Sequence, residues 1–324
     1  MERRRLGRTE LKTSAIGYGC GAVGGLMVRG SAADQERAIA RAVELGINYF
    51  DTAPLYGDGE SERNLGRVLA KLRPDIVLGT KVRLARGAAG DAVAASLEDS
   101  LRRLGRDHVD LFQLHSSITI NGDGTSLPVD AVLDDVHAAF DRVRRQGKTR
   151  FIGITATGET AALHKVVAAG AFDTAQIVYN MLNPSAGGAA PRGMPGQDYD
   201  RLLDHARRAD AGVIGIRALA GGALSGNESR HPIAMQVVAP IGSGADYAAD
   251  ARRARQFDVL VREGHAGSLI EAALRFVIAH PAMTTALVGT ASLDELEVAG
   301  QAANKGPLPP AALDRLATIA ATLG

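Results

Sequence analysis

The stretch DQERAIARAVELGINYF, residues 34–50, holds the unit from which the chain is built. Ile39, Ala42 and Val43 fall on one helical face. Gly46 stands where a helix C-terminus favours a residue free to turn left-handed. INYF then reads as a short apolar strand.

The same order of helix, glycine and strand recurs. ERNLGRVLAKL (62–72) precedes IVLGT. DAVAASLEDSLRRLG (91–105) precedes VDLFQL. Leu133, Val136, Phe140 and Val143 mark a helix ended by Gly147 before RFIGI. Leu163, Val166 and Val167 mark another, ended by Gly170 before TAQIVYN. DRLLDHARRADAG leads into VIGIRAL, and SLIEAALRFVIAHP into TTALVGT. With SAIGYG at the start, the candidate strands are SAIGYG, INYF, IVLGT, VDLFQL, RFIGI, TAQIVYN, VIGIRAL and TALVG. DELEVAGQAAN supplies a helix after the last of them. Continuous apolar strands alternating with amphipathic helices predict a parallel sheet covered on its outer face. Eight such units predict an α/β fold, a single (β/α)8 TIM barrel spanning residues 1–324 as one domain. A doubly wound open sheet is the alternative, but no G-x-G-x-x-G follows the first strand. RRRLGRTELKTS reads as an N-terminal β-hairpin turning near Gly7-Arg8-Thr9. Segments 183–198 and 225–250, rich in Gly, Ala and Pro, read as long loops at the C-terminal face, either lids or tolerated insertions.

The bulk numbers narrow the function classes. A net charge of +1 in 324 residues offers no electrostatic case for nucleic acid or an anionic membrane. The single cysteine, Cys20, excludes an internal disulfide and points to a reducing compartment. Without an apolar leader or an 18-residue apolar run, a cytoplasmic location is expected. The composition leaves the oligomeric state open.

In a barrel of this kind the chemistry lies at the C-terminal ends of the strands. INYF runs into Asp51, IVLGT into Lys81, and VDLFQL into His115, while Tyr56 follows in the loop after Asp51. Singly, each has an ordinary explanation as a cap, a solvated strand end or a structural histidine. Together on three consecutive strands they make a workable proton-transfer group. A phenol has an ordinary pKa near 10, and a neighbouring ammonium favours its ionised form. A carboxylate keeps the lysine charged, and a histidine can orient a carbonyl oxygen. A proton donor so placed is worth roughly 10²–10⁴ in rate. No side chain supplies a hydride, so a nicotinamide cofactor is implied.

FDTAPLYGDGESERNLG, LGTKV, SLRRLGRDHVDLFQLH, GKTRFIGIT and AQIVYNMLNP, in this order, resemble the aldo-keto reductase superfamily over nearly the whole chain. The resemblance implies a barrel that binds NAD(P) without a Rossmann domain, and a catalytic set of Asp51, Tyr56, Lys81 and His115 with Tyr56 moving the proton. It implies that Thr155 and Gln176 hold the nicotinamide carboxamide. The asparagine usual after the first of these is Ala156, and the aromatic usual under the ring is Ile216. Arg217 is expected to reach the pyrophosphate or to lie in solvent. Backbone at Cys20 and Gly21 is expected to line the cofactor, and Gly289, Thr290, Ser292 and Glu295 to meet its adenosine end. GTASLDELEVA (289–299) carries Asp294, Glu295 and Glu297 but no Lys or Arg. NAD is therefore favoured over NADP, because a 2′-phosphate would meet acids there whereas ribose hydroxyls can donate to them.

The chain has no Trp, and the polar loop SSITINGDGTSLP follows His115. Ser116, Ser117 and Thr119 are expected to meet substrate hydroxyls. The expected activity is interconversion of an alcohol or lactol with a carbonyl on a small polar substrate. The alternatives are an NADPH-dependent reductase of small aldehydes and a regulatory barrel with little turnover. No H-x-H on the first strand and no H-E-x-x-H are present, which counts against a metallohydrolase.

Overall fold

The computed structural model describes residues 1–88, 90–239 and 246–321. Arg3–Arg5 (β1) and Lys12–Ser14 (β2) pair antiparallel, turned by a 3-10 segment at Gly7–Thr9. The barrel begins with Ile16–Gly19 (β3), Tyr49–Asp51 (β4), Val77–Val82 (β5) and Val109–Leu114 (β6). A small parallel ribbon, Ser117–Thr119 (β7) with Ser126–Pro128 (β8), interrupts the series. The barrel resumes with Thr149–Thr155 (β9), Thr174–Val178 (β10), Gly212–Ile216 (β11) and Thr285–Val288 (β12). The closed order is β3-β4-β5-β6-β9-β10-β11-β12, with β12 returning to β3. The barrel, its hairpin and its long C-terminal-face segments are as expected.

The departures have local causes. INYF pairs only from Tyr49, because Asn48 is committed to the hairpin: its Oδ1 accepts from Ser14 N at 2.7 Å and its Nδ2 donates to Lys12 O at 2.8 Å. VIGIRAL stops at Ile216, because Arg217 turns into the left-handed region at φ 58°. The helix Ala32–Glu44 starts earlier than its apolar face suggests, since Ser31 caps it by accepting from Asp34 N.

Two apolar layers fix the frame. The larger lies between the helices and the outer barrel face. The smaller, formed by Leu6, Tyr49, Val77, Leu111 and Ile214, fills the barrel interior at its N-terminal end. Leu6, fully buried, comes from the hairpin, so the hairpin plugs the barrel floor. Burying an aliphatic side chain of this size is worth about 1.5–3 kcal/mol.

That floor positions the site. Side chains two apart in a strand share a face. One step of two from Tyr49, Val77 and Leu111 reaches Asp51, Gly79 and Gln113. The next step reaches Lys81 and His115.

The segment 183–198 is tied down at both ends. Asn183 Nδ2 donates to Gln197 O at 2.8 Å, and Gln197 Nε2 donates to Gly158 O at 2.7 Å. The portion 225–239 reaches from β11 across to the loop behind β3. There Arg29 Nε donates to Ile233 O at 2.6 Å, and Met235 N to Val23 O at 3.1 Å. Residues 240–245 of the expected long loop lie outside the described residues. Among the described residues, no helix is long and apolar enough to cross a membrane.

Candidate active site

Asp51 ends β4, and the loop DTAPLYGDGESE carries the chain back out. The reversal is made at Gly57, Asp58 and Gly59, with φ of 64°, 51° and 83°. Glycine takes this conformation without a steric penalty, and Asp is among the few others that tolerate it. Two buried residues then hold the loop. Ser61 Oγ donates to Cys20 O at 2.8 Å. Glu62 accepts from Thr80 Oγ1 at 2.6 Å and pairs with Arg103 at 2.6 Å. Tyr56 is thereby held half-buried over the barrel mouth.

Lys81, 1% exposed, lies inside the barrel. Its Nζ donates to Asp51 Oδ1, to Thr52 O at 2.9 Å and to Tyr56 Oη at 3.3 Å. The other carboxylate oxygen, Asp51 Oδ2, accepts from Tyr49 Oη at 2.9 Å, Gln113 Nε2 at 3.0 Å and Gln176 Nε2 at 2.8 Å. Gly79 leaves space for this convergence. A Cβ there would stand 3.0 Å from Tyr49 Oη and 3.3 Å from Asp51 Oδ2. His115 meets Tyr56 edge to face, with ring centroids 5.9 Å apart at 88°. The four residues singled out by the strand-end argument are therefore brought together.

Electrostatics correct one expectation. Burial raises the pKa of Tyr56; the Lys81 ammonium opposes it and the Asp51 charge adds to it, and the net direction is upward rather than downward. Tyr56 is thus a protonated phenol at neutral pH. Burial alone would depress Lys81, but Asp51 and Tyr56 outweigh it and hold its pKa above the usual lysine value. Burial, with the charges of Lys81 and Arg83, drives His115 down to about 3. Its imidazole is therefore neutral, with a buried Nδ1 that finds no partner.

The expected cofactor residues fall into four groups. Cys20 and Gly21 lie at the mouth of β3, where a Cβ on Gly21 would stand 3.6 Å from the Tyr56 ring. Thr155 and Gln176 are buried neighbours, with Thr155 Oγ1 donating to Gln176 Oε1 at 3.3 Å. Ile216 ends β11 and Arg217 follows it. The fourth group, after β12, is committed largely to structure. Thr290 Oγ1 shares a hydrogen bond with Tyr18 Oη at 3.2 Å. Ser292 caps the helix Leu293–Asn304 by accepting from Glu295 N at 3.2 Å, and Glu295 Oε2 accepts from Ala291 N at 2.7 Å. Glu297 is held by Arg41 at 2.7 and 2.9 Å.

The expectation for the polar loop after His115 needs correction. Ser116, 1% exposed, accepts from Leu84 N at 2.8 Å and donates to Leu84 O at 3.0 Å. Thr119 Oγ1 shares a hydrogen bond with Ser126 Oγ at 2.9 Å. Both hydroxyls are consumed by the β7–β8 ribbon and its anchor, so of the three only Ser117 is left for a substrate.

Two residues of the cluster were not anticipated: Tyr49 and Gln113. Each lies two positions before a strand-end residue, Asp51 and His115, so the period-two face carried the signal.

Comparison with known proteins gives the family. A model of the aldo/keto reductase family matches residues 15–321. The chain belongs to that family. The chain is 36% identical over 161 residues to L-galactose dehydrogenase of Arabidopsis thaliana, 48% of each chain. It is 34% identical over 173 residues to D-threo-aldose 1-dehydrogenase of a Pseudomonas species, covering 44% of this chain and 50% of that one. It thus spans about half the length of these relatives. A longer, weaker match, 25% over 329 residues, is to L-glyceraldehyde 3-phosphate reductase of Escherichia coli O157:H7, covering 94% and 88%. In fold, this aldo-keto reductase matches an aldo-keto reductase of Bacillus halodurans in its holo form, at a TM-score of 0.73 and 24% identity over 98% and 96% of the two chains.

Proposed function

We propose that this aldo-keto reductase is an NAD(P)-dependent oxidoreductase that interconverts an alcohol or lactol and a carbonyl on a small polar substrate, with Tyr56 as its general acid–base. The observation that carries the reading is Lys81 Nζ, bonded at once to Asp51 and to Tyr56 Oη. In reduction the Tyr56 hydroxyl gives its proton to the carbonyl oxygen. In oxidation the phenolate takes the proton of the alcohol. Lys81 stabilises that phenolate, and Asp51 keeps Lys81 charged. Neutral His115 donates a hydrogen bond to the substrate oxygen from Nε2, the tautomer that leaves its buried Nδ1 as an unprotonated acceptor.

The mouth suits a nicotinamide dinucleotide, which when bound supplies the hydride donor or acceptor. Gly21 presents bare backbone against Tyr56, and Thr155 with Gln176 offers a hydroxyl and an amide matched to a carboxamide. Ile216 gives an apolar surface for the ring. Cys20, Gly289, Thr290, Ser292 and Glu295 line the remaining path.

NAD is favoured over NADP. Asp294 and Glu295 are exposed in the first turn of the helix Leu293–Asn304. The cation beside that helix, Arg41, is committed to Glu297 and Glu44. A 2′-phosphate would meet acid there, whereas ribose hydroxyls would meet acceptors. Sugars in the names of the relatives, and the absence of Trp, support a lactol or a compact polar aldehyde or alcohol.

The test is a rate screen with NAD and NADP over neutral aldoses, pyridoxal-type alcohols and short aldehydes. NAD-dependent oxidation of a polar alcohol or lactol is expected. Preference for NADP(H) in both binding and turnover would overturn the cofactor assignment, and no dinucleotide-dependent turnover of any substrate would overturn the activity.

A further inference from the structure

At the end of β11 stands a cation with nothing to hold. Arg217 is half-buried. Among the described residues, its guanidinium makes no hydrogen bond and no ion pair. All five of its donors are unspent. Such a group is costly to bury unless an anion joins it.

Its backbone is arranged for it. Arg217 adopts φ 58°, a left-handed conformation that is uncommon for a residue other than glycine. Asn180 Nδ2 donates to Arg217 O at 3.0 Å and pins the strained peptide. Gly221 leaves room for the side chain, since a Cβ there would stand 3.0 Å from Arg217 Nη1. The nearby Arg230 is different. Its guanidinium donates to Met235 O at 2.6 Å, Gly221 O at 2.5 Å and Val23 O at 3.2 Å, and lies 4.8 Å over the Tyr247 ring. Arg230 is a structural clamp, and Arg217 is a free cation beside it.

The direction of that cation matters. The titratable groups that act on Arg217 are Tyr56, Arg230 and Tyr199. Arg217 stands just past the C-terminal end of β11, at the same barrel mouth as Tyr56, and of the neighbouring charges Tyr56 acts on it most.

We propose that Arg217 is a specificity-determining residue that binds a carboxylate on the substrate whose carbonyl or hydroxyl sits at Tyr56; this rests on the activity proposed above. A single free guanidinium matches a carboxylate through two parallel N–H···O bonds. A doubly charged phosphate would call on a second cation, and the nearby Arg230 has already spent three of its five donors on backbone carbonyls and its face on the Tyr247 ring. The substrate class thus narrows from small polar alcohols and lactols to those bearing an acid, such as uronic acids. The rival occupant of Arg217 is the cofactor pyrophosphate.

The test is calorimetric and independent of turnover. Wild type, Arg217→Gln and Arg217→Lys, each saturated with NADH, are titrated with D-glucuronate and D-galacturonate, and with D-glucose and D-galactose as neutral counterparts. NADH is titrated separately into each free protein, and circular dichroism checks that the variants fold. The wild type is expected to bind the acids more tightly than the neutral sugars. Arg217→Gln should weaken the acids about 10- to 100-fold while leaving the neutral sugars and NADH within about twofold. Arg217→Lys should recover only part of the loss, because lysine cannot reproduce the bidentate fork. Equal binding of acids and neutral sugars by the wild type would overturn the proposal. So would a loss confined to NADH, which would assign Arg217 to the cofactor. Charge-dependent binding without NAD-dependent oxidation would count against the activity alone and leave the assignment of Arg217 standing.

Discussion

Gln176 donates its side-chain amide to Asp51 Oδ2 at 2.8 Å. The glutamine expected to hold the nicotinamide carboxamide is thus bonded directly to the carboxylate that anchors Lys81. With Thr155 on its Oε1, it links the expected cofactor seat to the proton-transfer group through one side chain. Gln176→Leu should therefore weaken both dinucleotide binding and turnover. Fluorescence titration of NADH and steady-state kinetics on the same variant test this. A change in one without the other would separate the two roles.

Gln113 makes the same bond to the same oxygen from β6, but its own Oε1 has no hydrogen-bond partner, so it makes no link to Thr155. Gln113→Leu should lower kcat/KM about 10-fold, the worth of a hydrogen bond to a charged group. The dissociation constant for NADH should stay unchanged. Comparison of the two glutamine variants in one kinetic series isolates the contribution of the Asp51 cage.

Lys81→Met should act on stability as well as rate. It would leave Asp51 buried with three neutral donors and no counter-charge. Breaking a buried pair in this way costs about 3–5 kcal/mol. Urea unfolding at neutral pH measures it, and loss of turnover should accompany it because Tyr56 would lose its charge partner. A variant as stable as the wild type would mean that the ion pair is not an anchor of the fold.

The pH dependence follows from two directions. Oxidation needs the Tyr56 phenolate, and the Tyr56 pKa lies above the usual phenol value. The rate of oxidation should therefore climb with pH across the alkaline range. Reduction uses the protonated phenol and should fall only at high pH. Because His115 is held near pKa 3, neither profile should show an inflection between pH 5 and 8 from its protonation. A limb near pH 6.5 that disappears in His115→Ala would contradict the neutral-imidazole assignment.

The barrel was legible because its signal is periodic. Apolar strands following glycine-ended helices repeat often enough for the count alone to close the sheet. The strand-end residues were legible for the same reason, since a barrel focuses its strand ends on one mouth. What the chain did not show is what each polar group spends its bonds on. Ser116 and Thr119 look like substrate ligands in a polar loop, but Ser116 spends its hydroxyl on the Leu84 backbone and Thr119 on Ser126, across a ribbon of three-residue strands too short to read by alternation. Ser292 and Glu295 read as cofactor contacts, but not as the residues that also accept from Glu295 N and Ala291 N at a helix start. The rise in the Tyr56 pKa was hidden as well. The attraction of Lys81 can be read from the motif, whereas the desolvation that outweighs it depends on the packed mouth.

The account stands on Tyr56 as the group that moves the proton. Tyr56→Phe removes only the hydroxyl and keeps the ring that meets Gly21 and His115. Single-turnover rates of this variant, with the NADH dissociation constant measured in parallel, test the claim most directly. The account predicts a rate loss of at least about 10²-fold with NADH binding within about twofold of wild type. Turnover retained near the wild-type rate would contradict it.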